Sequence, residues 1–242
     1  MTTNFSWLSR TELLIGNAAL NKLANSHIMI VGLGGVGSFA AEFIARSGVG
    51  KMTIIDGDIV DKTNINRQLP ALATNLGILK AEIMAERLQA INPELELNVV
   101  KQFINPEMVQ QQLALKPDYI IDAIDSITPK LTFISMALEQ GLPLVSSMGA
   151  GGKLDATQLK VVDIAKTFNC PFAQQVRKQL KNKFNIKTGF KAVFSSEKPL
   201  AESLILTDGS NYKKSAYGTI SYLPAMFGAV CASVVIKDIA AK

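Results

Sequence analysis

The stretch HIMIVGLGGVGS, residues 27–38, decides the fold expected for this chain of 242 residues. Its first five residues form an almost continuously apolar run, as in a parallel strand that is buried on both faces. Gly32, Gly34 and Gly37 follow with the spacing of a dinucleotide-binding turn. Such a turn needs glycines for a tight bend, for close approach to phosphates and for packing a helix on a strand. The next helix would offer free N–H groups to a phosphate. The stretch therefore predicts a nucleotide site at the end of the first strand.

Short apolar runs alternate with helical periods through the first 150 residues. Strands are predicted at 27–31, 51–56, 96–100, 119–122 and 143–147, and helices at 11–24, 38–47, 74–91, 106–115 and 129–139. This alternation is typical of a Rossmann-like, doubly wound α/β fold with a mainly parallel sheet. We expect residues 1–150 to form the nucleotide-binding core, with the N-terminal helix attached to it.

The sequence changes character after the run GAGG at residues 149–152. A strand at 158–163, a basic helix at 171–183, a polar stretch at 185–215 and an apolar helix at 224–240 are predicted there. Residues 1–150 carry 11 basic and 14 acidic residues, whereas residues 151–242 carry 14 basic and 6 acidic residues, a net charge of +8. We expect 151–242 to be a basic substrate-binding extension and final helix of the same domain. A polyanionic substrate and a solvated lysine-rich surface both fit this charge.

Cysteine and histidine are scarce, which excludes several kinds of site. Cys170 and Cys231 are the two cysteines, and His27 is the single histidine, expected at a strand edge. A disulfide framework, a four-cysteine zinc site and a three-histidine metal site are therefore impossible. The few cysteines fit a reducing compartment and no apolar signal segment opens the chain, so a cytoplasmic protein is expected. The apolar run at 224–236 is too short to span a bilayer comfortably, which predicts no stable membrane insertion.

Polar residues cluster after the second and fourth predicted strands. The run DGDIVDKTNINRQ occupies residues 56–68, Lys80 follows in the next helix, and DAIDS occupies residues 122–126. Because ligands bind outside the carboxyl ends of parallel strands, we expect these groups to lie near the glycine turn. A dehydrogenase would share the glycine turn, but hydride transfer needs no such cluster of charges. Two cations and a carboxylate instead fit a triphosphate with Mg²⁺.

The cluster supplies a set of candidate residues for ATP and Mg²⁺. Arg67 and Lys80 would neutralise phosphate charge, and Asp125 would hold the metal that bridges phosphate oxygens. Asp56, at the end of the second strand, would accept hydrogen bonds from ribose hydroxyls. The predicted nucleotide-binding residues are Gly32, Gly34, Gly35, Gly37, Asp56, Asp58, Asn64, Arg67, Gln68, Lys80, Asp122, Asp125 and Ser126.

These motifs resemble those of the ubiquitin-activating-enzyme-like, or E1-like, superfamily, which includes the bacterial molybdopterin- and thiamine-pathway adenylyltransferases. GxGGxGS, DxDxVxxxNxNRQ, the helix lysine and DAxD occur in the family's order across roughly the first 150 residues. The resemblance implies that Asp56 contacts the ribose and that Asp125 binds magnesium. It also implies phosphate contacts from Asn64, Arg67 and Lys80.

The resemblance extends to the start of the chain. SRTELL at residues 9–14 is similar to the family's SRQxxL segment. The arginine of that segment typically reaches the ATP of a partner subunit. This implies a homodimer in which Arg10 acts in trans and is catalytic together with Arg67, Lys80 and Asp125. A plain surface position for Arg10 stays open, because its surroundings match the family loosely.

The second half resembles one branch of the superfamily. It lacks the two CxxC zinc pairs that are usual in sulfur-carrier adenylyltransferases. Instead, residues 149–167 (GAGGKLDATQLKVVDIAKT) and 193–197 (VFSSE) are similar to the tRNA threonylcarbamoyladenosine dehydratase branch. This similarity implies ATP-dependent cyclisation of the threonylcarbamoyl group on adenosine 37 of tRNA through a carboxyl-adenylate. Residues 198–223 look less typical of that branch. Sulfur-transfer proteins are further candidate partners.

A tRNA substrate would give the basic second half a partner. The candidate phosphate contacts are Lys153, Lys160, Lys166, Arg177, Lys178, Lys181 and Lys183. Phe190, Phe194 and Tyr212 fit base stacking and core packing equally well, so none is assigned.

Two other functions stay open from the sequence. The chain could adenylate the C-terminus of a ubiquitin-like sulfur carrier, or it could be a non-catalytic E1-like scaffold. The intact cations and carboxylate argue against the scaffold. Cys170 directly precedes a predicted helix, a position that can stabilise a thiolate, whereas Cys231 lies within an apolar helix and is expected in the core. Ring closure within the substrate needs no nucleophile from the enzyme, so neither cysteine is required.

Overall fold

A seven-stranded sheet forms the centre of the protein. A computed structural model of the chain describes residues 6–206 and 215–241. The strands of the sheet are β1 (His27–Val31), β2 (Lys51–Ile55), β3 (Glu96–Val100), β4 (Tyr119–Asp122), β5 (Leu144–Ser147), β6 (Leu159–Asp163) and β7 (Lys191–Ser195). Their order is β3-β2-β1-β4-β5-β7-β6, and each neighbouring pair is parallel except β7 with β6. The predicted Rossmann-like, mainly parallel α/β fold is confirmed.

Helices cover both faces of this sheet. They are α1 (Ser9–Ala24), α2 (Gly37–Arg46), α3 (Lys80–Ile91), α4 (Pro106–Leu113), α5 (Ile127–Glu139), α6 (Pro171–Phe184) and α7 (Tyr222–Ala241). Side chains of β1 alternate between two cores, because successive strand residues point to opposite faces. Ile28 and Ile30 pack with residues of α2, α3 and α7, whereas Met29 and Val31 pack with residues of α4, α5 and α6. The continuous apolar run of β1 is thus explained by burial on both faces.

Two helices differ from their predicted form because of glycines. The helix predicted from residue 74 begins at Lys80, so the prediction was wrong at its start. Gly77 adopts a φ of +81°, which a helix does not allow, and Ile59 forms a β-bridge with Leu79 just before α3. Gly16 has a φ of +80° and breaks α1 into two segments. Gly77 shapes the loop before α3, Gly16 changes the course of α1, and neither glycine lies in a strand of the sheet.

The stretch predicted as polar and irregular, residues 185–215, contains a central part of the fold. β7 lies within it, pairs with both β5 and β6, and is almost completely buried. A two-stranded hairpin follows, formed by β8 (Leu204–Leu206) and β9 (Ser215–Tyr217). A prediction from composition missed this short buried strand, because it begins at Lys191 and lies in a stretch that also contains Lys187 and Lys198. Tyr212, one of the aromatic candidates, lies outside the described residues.

The final helix, α7, belongs to the core. It extends over 20 residues and is long and apolar enough to cross a bilayer by length and composition alone, so the apolar segment is longer than the run recognised in the sequence. Half of that apolar segment is nevertheless buried inside the protein. Gly228 lets α7 approach α2 closely, since a Cβ there would lie 2.4 Å from the Val36 carbonyl oxygen. The apolar character of α7 is therefore explained by packing.

The carboxyl ends of the six parallel strands lie at one edge of the sheet, called the carboxyl edge below. The loops that leave these strands all begin there, and those after β1, β2, β4, β5 and β7 include residues 32–37, 56–68, 123–126, 148–154 and 196–200. β6 is antiparallel and starts at the same edge, where Leu159 pairs with Ser195. The polar runs singled out in the sequence are therefore neighbours in space.

Candidate nucleotide-binding site

The glycine turn after β1 is packed directly against the end of β4. Gly32 has a φ of +88°, and a Cβ on it would lie 2.8 Å from the Ala123 carbonyl oxygen. A Cβ on Gly37 would lie 1.7 Å from the Gly32 carbonyl oxygen and 3.1 Å from the Ala123 Cβ. Only glycine fits either position, since backbone atoms cannot yield as flexible side chains do. This packing fixes the turn beside the segment that carries Asp125.

The middle of the turn faces the loop that follows β2. A Cβ on Gly35 would lie 2.9 Å from the Pro224 Cβ and 3.2 Å from the Arg67 carbonyl oxygen, whereas one on Gly34 would meet only the Gln68 side chain, at 3.7 Å. The Gln68 Oε1 atom is buried and has no hydrogen-bond partner among the described residues. A buried amide with unused hydrogen-bonding capacity beside Gly34 suits a bound polar ligand.

Asp56 ties the end of β2 to the glycine turn. Its Oδ2 accepts from the Leu33 backbone N–H at 2.6 Å, and its Oδ1 accepts from the Asp58 backbone N–H at 2.7 Å. Burial raises the pKa of this carboxyl, and the Lys80 ammonium and the two N–H groups oppose that rise without cancelling it. Each oxygen keeps a second lone pair, so the carboxylate can still accept from ribose hydroxyls.

Lys80 and Arg67 lie on elements that converge on this edge. Lys80 is the first residue of α3, is almost completely buried, and donates from Nζ to Asp58 Oδ2 at 2.9 Å. Arg67 is half-buried and donates from Nη1 to the Thr63 carbonyl oxygen at 2.9 Å. The two cations are therefore held in place by contacts within the site loops.

Asn64 has a local structural role. Its Oδ1 accepts from the Asp61 N–H at 3.2 Å, and the Asp61 side chain accepts in turn from the Thr63 N–H, which caps a short 3₁₀ helix at Lys62–Asn64. A phosphate contact from this side chain remains a prediction, and its amide nitrogen is the group suited to it. The capped turn positions Arg67, whose backbone N–H bonds to the Asn64 carbonyl oxygen at 3.1 Å.

Asp122 lies beneath the site, which corrects its predicted role as a nucleotide contact. Its side chain is completely buried, and both oxygens are engaged. Oδ1 accepts from the Ile124 N–H at 3.0 Å, while Oδ2 accepts from Ser146 Oγ at 2.7 Å and pairs with Lys130 Nζ at 2.8 Å. Asp125, by contrast, is exposed at the carboxyl edge, and Ser126 Oγ donates to its Oδ1 at 3.4 Å.

Lys130 is a buried residue beneath the site that the sequence prediction missed. Its ammonium is completely buried, pairs with Asp122, and donates to the Ile124 carbonyl oxygen at 3.0 Å. The pair therefore clamps residues 122–125 from below, while the glycine turn packs on Ala123 from the side. A signal was available, because Lys130 is the single charged residue between Ser126 and Glu139. A lone charge in an apolar helix is buried only when it is paired.

Comparison with known proteins identifies the family. The sequence matches the family model "ThiF family" across residues 8–242. This chain belongs to the ThiF family. It is 40% identical to the tRNA threonylcarbamoyladenosine dehydratase of Escherichia coli (strain K12), over 98% of this chain and 96% of the relative. It is also 40% identical to the enzyme of that name from Bacillus subtilis (strain 168), over 96% of this chain and 93% of the relative.

Solved structures of the Escherichia coli relative have the same fold. The crystal structure of that enzyme in complex with ATP has a TM-score of 0.90 to this chain, with 40% identity, and the match covers 100% of this chain and 96% of that one. A structure of the same enzyme with AMP also has a TM-score of 0.90. The predicted resemblance to the E1-like superfamily and its dehydratase branch is confirmed.

The candidate RNA contacts in the second half of this ThiF family member differ in how far they are exposed to solvent. Lys153 is buried and donates from Nζ to the Gly149 carbonyl oxygen at 3.0 Å, so it is a structural residue and not a surface phosphate contact. Phe190 and Phe194 are also buried in the core. Arg177 is half-buried. The remaining candidates are exposed: Lys160, Lys166, Lys178, Lys181 and Lys183.

Neither cysteine is placed as a nucleophile. Cys170 precedes α6 and is buried, and Cys231 is completely buried within α7. Burial raises the pKa of the Cys231 thiol to about 12. His27 is also structural, because its Nε2 contacts Thr53 Oγ1 at 2.8 Å.

We expect Cys231 to resist alkylation in the folded protein. A thiol with a pKa of about 12 holds almost no thiolate near pH 8, and burial also blocks access. Timed labelling with iodoacetamide, before and after unfolding in urea, would measure this. Cys231→Ala should retain turnover. Rapid labelling of Cys231 in the native state, or loss of turnover in a folded Cys231→Ala protein, would contradict this assignment.

Proposed function

We propose that this chain is an ATP-dependent tRNA threonylcarbamoyladenosine dehydratase. The observation that carries the proposal is similarity over the whole chain. The match to the Escherichia coli and Bacillus subtilis enzymes includes both the nucleotide site and the basic half, which is where a macromolecular substrate would bind. The carboxyl edge supplies a glycine turn that can accommodate phosphate, together with two cations and an exposed carboxylate. Activation of a carboxylate by ATP requires groups of these kinds.

The nucleotide would bind across the carboxyl edge. The glycine turn and the N-terminus of α2 would hold phosphate, and Asp56 would accept from the ribose. Arg67 and Lys80 would offset the negative charge that develops on the phosphates. Gln68 would use its unpartnered amide oxygen on the ligand. Asp122 and Lys130 would act from below, by holding the turn that carries Asp125.

Magnesium fits Asp125. Among the residues that the structure describes, no cluster of three or more His, Cys, Asp or Glu could hold a metal. Mg²⁺ in nucleotide sites usually binds through one or two carboxylates together with phosphate oxygens, so a single exposed carboxylate beside the glycine turn is sufficient. When bound, the ion would supply positive charge that offsets the negative charge of the phosphates. Asp125→Asn should raise the Mg²⁺ concentration needed for half-maximal activity, and an unchanged requirement would remove this assignment.

The reaction divides into two balanced steps. A carboxylate oxygen of the threonylcarbamoyl group attacks the α-phosphorus of ATP, and the bond to pyrophosphate breaks. The product is a mixed anhydride, in which AMP is a good leaving group. A nucleophile in the same side chain then attacks the acyl carbon, its proton is lost to solvent, and the bond to AMP breaks. Because ring closure is intramolecular, positioning supplies much of the rate, and no enzyme nucleophile is consumed.

The alternative function is adenylation of a sulfur carrier. The sulfur carrier protein ThiS adenylyltransferase of Escherichia coli is 29% identical over 59% of this chain, so that similarity covers much less of the chain than the similarity to the dehydratases. ATP–pyrophosphate exchange separates the two. We expect exchange to be stimulated by tRNA that carries threonylcarbamoyladenosine, and not by a carrier protein ending in Gly-Gly. The reverse result would favour the carrier-activating enzyme, and no exchange with either would favour a scaffold.

A homodimer is part of the proposal. Arg10 is exposed near the start of α1, beside Leu13 and Leu14, which are 89% and 84% exposed. Exposed leucines of this extent suit a subunit interface that would bring Arg10 to a partner's nucleotide. Arg10→Ala and Lys80→Met, each inactive alone, should recover activity when mixed, because hybrid dimers contain one intact site. Verified hybrid dimers with no recovery would contradict action in trans.

A cytoplasmic location and sulfur-transfer partners complete the proposal. A tRNA substrate requires access to the cytoplasm. Because both thiols are buried, a sulfur-transfer protein would dock on the surface without passing sulfur to this chain. Incubation with a radiolabelled persulfide protein should leave the chain unlabelled, and a label on either cysteine would refute this.

A further inference from the structure

A groove on the basic half opens at the same edge of the sheet as the nucleotide site. Its volume is about 580 Å³, and its lining includes Phe168, Asn169, Gln174, Arg177 and Lys198. Its position follows from two contacts. Asn169 Nδ2 donates at 3.0 Å to the carbonyl oxygen of Ser196, the first residue after β7. A Cβ on Gly149, which lies just after β5, would be 4.0 Å from the Sγ of Cys170 in the groove wall. We call this cavity the α6 groove.

Phe168 presents an aromatic ring in the α6 groove. The ring is 46% exposed, although its edge-to-face contact with Phe194 fixes it to the core, with centroids 5.3 Å apart and planes at 76°. Phe194 is completely buried, so its ring cannot move aside easily. A half-exposed aromatic that is anchored from below offers a rigid platform, and unpaired RNA bases stack on such platforms.

Positive charge surrounds this platform. Lys160 Nζ lies 5.7 Å from the centroid of the Phe168 ring, and Lys198 and Arg177 line the groove. None of the described residues along the groove is acidic. The adjacent Glu197 is directed elsewhere, since its carboxylate accepts from the backbone N–H groups of Leu154 and Asp155. An aromatic ring with cations and without opposing carboxylates suits a base and its phosphate better than an apolar peptide.

We propose that the α6 groove binds a nucleotide of the tRNA anticodon loop adjacent to the modified adenosine, with its base stacked on Phe168 and its phosphate near Lys198. The inference rests on the proposed function. It explains how one edge of the sheet can serve both substrates, because the reacting carboxylate must reach ATP there while a neighbouring nucleotide is held beside it. Asn169 and Gln174 carry amides that can bond to base edges.

Fluorescence of a modified tRNA tests this inference directly. The tRNA carries threonylcarbamoyladenosine and has 2-aminopurine at a neighbouring loop position, so stacking on an aromatic ring quenches its emission. Wild-type protein should quench the probe. Phe168→Leu should abolish the quenching and raise the KM for tRNA about tenfold, while Phe168→Tyr should retain both. Lys198→Gln should lower the salt dependence of tRNA binding by about one phosphate contact. ATP affinity should not change in any of these variants.

Phe184→Leu is the matched control, because Phe184 is 40% exposed at the other end of α6, about 20 Å along the helix axis. It should leave quenching and KM unchanged. If wild-type protein dehydrates the tRNA but Phe168→Leu quenches and turns over normally, the groove assignment is wrong and the proposed function stands. If the probe is quenched through Phe168 but no adenylate forms, the groove stands as an RNA site and the dehydratase function falls. Absence of tRNA binding overturns both.

Discussion

Replacing Lys130 by Met is expected to lower the free energy of unfolding by about 3–5 kcal/mol, the largest stability effect that we predict. The Lys130 and Asp122 side chains are both completely buried and 2.8 Å apart, so the substitution leaves the Asp122 charge without its partner away from water. Urea denaturation followed by circular dichroism measures the change. The loss should exceed that of an ordinary core substitution of equal volume, because desolvation of a charge is more costly than a missing contact.

Two variants control this prediction. Lys51→Met breaks a surface pair with Glu96 and should cost at most about 1 kcal/mol, because exposed ion pairs contribute little. Lys130→Met combined with Asp122→Asn should recover most of the lost stability, since no buried charge remains. The double variant should still be slow in catalysis, because nothing then holds the Ile124 carbonyl oxygen below Asp125. A stability loss for Lys130→Met as small as that of Lys51→Met would contradict the buried pair.

Replacing Lys80 by Met is expected to lower the rate of tRNA-stimulated ATP–pyrophosphate exchange by about 10²–10³-fold, as for other groups that stabilise charge in the transition state. Stability should fall modestly, because the Asp58 side chain left behind is half-exposed and can be solvated, while the buried Asp56 carboxylate loses a favourable charge nearby. Initial rates of exchange at saturating ATP would measure the effect. Lys80→Arg should restore it only in part, because a planar guanidinium does not replace a compact ammonium in a buried position.

The matched control for Lys80→Met is Lys101→Met. Lys101 is exposed and pairs with Glu82 of α3 at 2.7 Å, so the variant removes a lysine that contacts the same helix but is not a candidate nucleotide contact. Its exchange rate should equal that of the wild type. If Lys80→Met exchanges as fast as Lys101→Met, the buried ammonium has no part in adenylate formation, and the site must be reassigned.

The parts of the fold that could be predicted from the sequence are those in which one local pattern has one structural meaning. The strand at 27–31 followed by a glycine turn was predicted correctly, because burial on both faces demands continuous apolar residues. β7 was missed because it begins with a lysine inside a lysine-containing stretch and its burial depends on β5 and β6, which are distant in sequence. The start of α3 was predicted too early, because the helical pattern of apolar residues continues before Lys80, whereas Gly77 adopts a positive φ that ends any helix there.

The site shows the same division. Residue types and their order indicated which groups gather at the carboxyl edge, since the parallel sheet brings its strand ends together. They did not show that Asp122 points inward while Asp125 is exposed, because two carboxylates three residues apart leave a strand end in different directions. Lys130 and Lys153 are buried, although lysines are usually expected at the surface. Their burial depends on a carboxylate or a carbonyl oxygen that lies beside them only in the folded protein.

The most direct test of the account is the fate of the modified nucleoside. Purified protein is incubated with ATP, Mg²⁺ and tRNA that carries threonylcarbamoyladenosine. The tRNA is then digested to nucleosides under mild conditions, and their masses are measured by mass spectrometry. We predict that the nucleoside loses the mass of one water, with one AMP and one pyrophosphate released for each nucleoside converted, and that the Lys80→Met protein forms no dehydrated nucleoside. An unchanged nucleoside in the presence of folded, ATP-binding wild-type protein would contradict it.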